Sequence, residues 1–178
     1  MFFYRSDLQN IFIGGATGFT AQPRTQVTDA RVQREISQRS PQVTYLAGPE
    51  WTFKYGGVTG QLDYLHEITT HNHGDEIRAA LSVPLGHLAG SWSANAGLTW
   101  KSPAVVNYYY GVPGGIYDAG PALNLFVKIG YSRPLSSKWK LGAFVHCERL
   151  GNAIYDSPIV ARHYVTTVFA GATYVFHQ

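Results

Sequence analysis

Apolar and polar residues alternate with a period of two along most of this chain, the spacing that places successive side chains on opposite faces of a β-strand. In 122–132, Leu123, Leu125, Val127, Ile129 and Tyr131 alternate with Asn124, Phe126, Lys128, Gly130 and Ser132. In 138–149, Trp139, Leu141, Ala143, Val145 and Cys147 alternate with Lys138, Lys140, Gly142, Phe144, His146 and Glu148. The division recurs where Trp92, Ala94, Ala96, Leu98 and Trp100 oppose Ser93, Asn95, Gly97, Thr99 and Lys101, and where Ile77, Ala79, Leu81 and Val83 oppose Glu76, Arg78, Ala80 and Ser82. Segment 43–55 follows it too, with Leu46 as an exception on the polar face. In the last segment Tyr164, Thr166, Val168, Ala170, Ala172, Tyr174 and Phe176 share one face, aromatic towards both ends and mostly small between.

These patterns predict about eight strands, at 9–19, 43–55, 58–67, 76–84, 91–101, 121–132, 138–149 and 162–176, of which 9–19 and 58–67 alternate less cleanly. Segment 20–42 is polar and reads as a long loop holding a short helix or strand. No crossover helix is visible, so the sheet is expected to be antiparallel and up-and-down. Short connections at 55–58, 85–90 and 133–137 alternate with longer ones at 20–42, 68–75, 102–120 and 150–161. That asymmetry belongs to outer-membrane barrels, with short periplasmic turns and long external loops. The expected fold is therefore all-β: one antiparallel transmembrane β-barrel domain over 1–178, with more strands in a full-length form.

Composition sharpens the picture without changing it. The 178 residues include 12 Tyr, 9 Phe, 4 Trp and 19 Gly, with only 14% charged residues, which favours strands and tight turns over helices. Mean hydropathy is −0.11 and no apolar run approaches the ~20 residues of a spanning helix, a fact that leaves a barrel untouched. The +3 formal charge is scattered and forms no basic stripe, which argues against nucleic-acid binding. Cys147 is the single cysteine. MFFYRSDLQN is not a secretory leader, so an exported chain is expected to have been trimmed or to lack an N-terminal portion of its barrel. A soluble β-sandwich or lipocalin-like barrel also alternates, with its apolar face inward. Polar faces of Ser, Thr, Asn and Gly with isolated charges of both signs favour the hydrogen-bonded lumen of a membrane barrel.

Residues 97–112 read GLTWKSPAVVNYYYGV and 150–160 read LGNAIYDSPIV, with Tyr131–Leu135 and Trp139–Leu141 between them and GATYVF in the closing strand. In order and spacing these resemble the MipA/OmpV family of outer-membrane proteins, convincingly over 43–176 and loosely over 9–42. The resemblance implies localisation in the outer membrane, contact with its lipid, and a structural scaffold that brings a murein hydrolase and a murein synthase together. It leaves a small-solute porin and a surface adhesin as alternatives.

Candidate chemistry is sparse. His66, His71 and His73 with Asp75 and Glu76 form the one metal-like group, in a spacing that matches no recognised ligand set, and a solvated loop is the simpler account. His146 with Glu148, and Asp63 with Glu67, share strand faces, where a structural lumen network is the simpler account than acid–base catalysis. No GxSxG motif accompanies a suitable His and acid, and Gly114 and Gly115 are loop punctuation. No enzyme activity, cofactor or metal is expected. Tyr108, Tyr109 and Tyr110 are candidates either for a partner contact at the external rim or for an aromatic girdle. Ser157 and Pro158 shape the last long loop, with a partner contact as the alternative.

Overall fold

The computed structural model describes residues 29–37 and 44–174. It contains α1 (Ala30–Ser37), β1 (Leu46–Ala47), β2 (Glu50–Tyr55), β3 (Val58–Glu67), β4 (Asp75–Gly86), β5 (Ser91–Lys101), α2 (Pro103–Tyr110), β6 (Ala122–Pro134), β7 (Trp139–Arg149), α3 (Asn152–Tyr155) and β8 (Tyr164–Tyr174). From β3 to β8 each strand pairs antiparallel with the next in sequence, so the sheet is up-and-down as expected. It curls into a half-barrel whose outer edges, β1/β2 and β8, are not hydrogen-bonded to one another among the described residues. The strand expected at 9–19, and Phe176 of the closing strand, lie outside the described residues.

The segment read as one strand over 43–55 is two strands on the same edge of β3. Leu46↔Glu67 and Glu50↔Asp63 keep one register through the interruption at Gly48–Pro49. Proline has no N–H to give the ladder, though its carbonyl still accepts from the Tyr64 amide at 3.1 Å. The unbroken register explains the Leu46 exception: it stands opposite Glu67, on the inner face.

The pairings carry the alternation from strand to strand. One row reads Leu62, Ala79, Leu98, Leu125, and another Leu81, Ala96, Val127, Cys147, Thr166. These residues lie on the convex side, where Val127 is 57% and Val168 72% solvent-exposed. Aromatics flank this apolar field at both ends. Trp92 packs on Tyr131 (4.8 Å between ring centroids) and Trp139 on Tyr174 (5.1 Å) at the short-turn end, and Trp100 and Tyr164 stand towards the loop end. Trp92 to Trp100 spans ~27 Å along β5, or ~21 Å along the membrane normal at a strand tilt of ~40°, within a few ångströms of the ~25 Å apolar band of outer-membrane barrels.

The residues that water does not reach sit elsewhere. Val106, Ala119, Ala122, Leu150 and Ile154 form a small core at the loop end. The expected loops 102–120 and 150–161 are therefore corrected: each contains a helix. Ser102 followed by Pro103 is a helix-start signal, because Pro at the first helical position lacks an N–H that would have no partner there. Gly111 closes α2, its N–H returning to the Asn107 carbonyl at 3.0 Å. Segment 20–42 contributes α1, in line with the short helix allowed for it.

Candidate functional site

Two arrangements carry the polar chemistry, a helical cap over the loop end and a charged band on the inner face. The cap is tied to the sheet at the start of α2. The Ser102 amide donates to the Asp75 carbonyl and the Asp75 amide to Ser102 Oγ, both at 2.9 Å. Val105 packs so closely on Gly74 that a Cβ there would come within 2.4 Å of its methyl, so glycine is required for the helix to seat. Asn107 clamps the following loop, donating to Asp118 at 2.6 Å and accepting from the Ala119 amide at 2.5 Å. Gly114 and Gly115, both at positive φ, turn the chain so that Val112 pairs with Tyr117. Tyr117 then donates to the Ala153 carbonyl of α3 at 2.9 Å. Burial first, and the Asp156 carboxylate second, raise its phenol above the ordinary value, so it stays a donor.

The two segments that carried the family resemblance meet in this cap. Ser157, 2% exposed, donates from Oγ to the Tyr110 carbonyl at 2.6 Å. Tyr110 packs against the small core, the Tyr109 hydroxyl meets Thr44 Oγ1 at 2.6 Å, and the Tyr108 ring stacks on His71. The three tyrosines are half-buried within the cap, and Pro158 is exposed beside Ser157. Replacing Ser157 by Ala removes this hydrogen bond to the Tyr110 carbonyl, a loss of ~0.5–1.5 kcal/mol. The expected readout is faster protease cleavage within 111–121 and 156–163 with the sheet itself unchanged.

Below the cap lies the charged band. Glu76, 1% exposed, accepts from Arg78 and, at 2.6 Å, from Lys101 Nζ. Glu148 accepts from Asn124 Nδ2 at 2.7 Å and faces His146 Nε2 at 3.9 Å, while Asn124 Oδ1 accepts the Gly151 amide below α3. Asp63 accepts from Gln61 at 3.0 Å, whereas Glu67, four residues further along β3, is engaged by the 68–74 loop. The Glu67 carboxylate accepts amides of Thr69, His71, Asn72 and His73, so this buried acid organises its own loop. Phe126, Phe144 and Lys140 stand on the inner face as expected, the Phe126 ring lying over Gly97.

The histidine group disperses. His66 Nδ1 is 2.9 Å from Asp75, which also accepts from the Tyr64 hydroxyl at 2.7 Å; His71 stacks on Tyr108, and Glu76 is spent on its two cations. Among the described residues no three His, Cys, Asp or Glu side chains converge as a metal site. Sequence reasoning missed Ser102, Asn107 and Asn124, which fasten the cap. The Ser-Pro pair was a legible signal for the first, whereas Asn107 and Asn124 are marked by nothing local.

A family model described as MltA-interacting protein MipA matches residues 3–176 of the chain. No curated protein and no solved structure matches it significantly.

Proposed function

The chain belongs to the MltA-interacting protein MipA family, and from that premise we propose that it is a single outer-membrane β-barrel domain acting as a non-catalytic scaffold. Its partners in this reading are membrane lipid, a murein hydrolase and a murein synthase. The observation that supports the membrane setting is the convex face: an apolar field across six strands, bounded at both ends by aromatics, with Glu76, Arg78, Lys101, Lys128 and Glu148 turned to the concave side and the convex charges Asp75, Arg133 and Arg149 confined to the strand ends. A water-soluble sheet of this size buries such a face, because exposed apolar patches beyond a few hundred Å² mark contact with lipid or protein.

In this orientation the capped end faces outward and the short turns face the periplasm, where the exposed Leu88 and Leu135 stand ready for murein enzymes. Contacts to an external partner are assigned to the rim, at Tyr108, Tyr109, Tyr110 and Pro158, of which Pro158 is the most accessible, with the buried Ser157 holding Tyr110 from within. The test has two steps. In the outer-membrane fraction, unboiled protein is expected to migrate differently from boiled protein on a gel. After mild crosslinking, the tagged barrel is expected to co-purify with a murein hydrolase. Recovery as an unshifted soluble protein would overturn the membrane assignment, and a shifted barrel that captures no murein enzyme would overturn the scaffold role.

A further inference from the structure

The inner face is divided by charge. Glu76, Glu148, Asp63 and Glu67 all stand in the loop-end half or at mid-height, each engaged with its own partners. Towards the short turns the pattern changes. The pairings place Lys54, Thr59, Ser82, Asn95, Lys128 and His146 in one continuous row across the sheet, with no carboxylate in it. All of this row but His146 lines a cavity of about 840 Å³ that is open at the turn end, and among the described residues no Asp or Glu lines it.

We infer that this turn-end cup binds an anionic saccharide, a polyol carrying a carboxylate, with Lys128 as the charge that recognises it. The half-buried Lys128 ammonium lies 5.7 Å from the centre of the Phe144 ring and forms no ion pair among the described residues. An ammonium in a recess, screened from bulk water and without a resident acid, attracts an anion more strongly than one on the surface. Phe144 and Phe169 stack at 5.1 Å on the same wall, an apolar platform for the C–H face of a sugar ring. Ser82, Ser93 and Asn95 supply the hydroxyl and amide groups that polyol recognition needs. The volume suits a small oligosaccharide, within the ~300–1,000 Å³ of ordinary ligand sites. The assignment involves no protein partner, so its failure leaves the scaffold reading standing, and the reverse.

The experiment is calorimetric titration of the full chain, folded in detergent micelles, with a disaccharide bearing one uronate carboxylate, with maltose and with sodium acetate. The acidic disaccharide is expected to bind at least ~10-fold more tightly than either maltose or acetate, and more weakly as salt rises. Lys128→Met is expected to weaken it ~10-fold while retaining the heat-dependent gel shift, and Lys138→Met, on the turn outside the cup, to leave it unchanged. Should Lys128→Met lose the gel shift, Lys54→Met tests the same row and is expected to weaken binding. Maltose binding as tightly as the acidic sugar, acetate binding as tightly as the disaccharide, or a folded Lys128→Met with undiminished affinity would each overturn the assignment.

Discussion

Replacing Val127 by Arg is expected to cost ~2–4 kcal/mol of folding free energy in a bilayer, the penalty for a guanidinium near the hydrocarbon midplane. Val127 lies midway along β6, paired with Ala96 and Cys147 in the apolar field, and more than half of its surface is open on the convex side. Its cross-strand neighbours Ala96 and Cys147 offer the cation no partner, so it must thin the bilayer or drag water inward. The same change at Ser93, on the opposite face and bordering the cup, is expected to leave insertion intact. Equilibrium refolding of both variants into lipid vesicles, followed by the gel shift, makes the comparison. Equal behaviour of the two would mean that the convex face does not meet lipid.

The second large effect is predicted at Glu76. Its carboxylate is almost fully buried between Arg78 and Lys101, and Glu76→Ala removes from two neighbouring cations the carboxylate that lies between them. Removing one member of such a buried set costs ~3–5 kcal/mol, well above the ~0–1 kcal/mol of an exposed pair. Urea unfolding in micelles should show this as a lower midpoint with an unchanged slope. Adding Lys101→Met to Glu76→Ala should recover part of the loss, because it removes one of the two cations that then face each other. A cost below ~1 kcal/mol would mean that water screens the group.

The same residues show how far the sequence could be read. The tyrosines at 108–110 and the Ser157–Pro158 pair were legible as a motif but not as a contact. Nothing local says that Ser157 reaches the Tyr110 carbonyl, 47 residues away in the chain, or that Glu76 reaches Lys101 across 25. The helix of α2 was legible in part through Ser102–Pro103, yet its run of Val and Tyr also suits a strand, and its burial against Gly74 decides the matter.

What the sequence determined by itself is the strand pattern, its faces and its order. Alternation is a property of neighbouring residues, and an antiparallel meander needs only short connections to place each strand beside the next. The tertiary structure alone decided which face is convex, how the acids and bases pair, and that the buried core lies in a cap at one end. Those outcomes depend on strand register and on the curl of the whole sheet, which bring together residues that no local pattern relates.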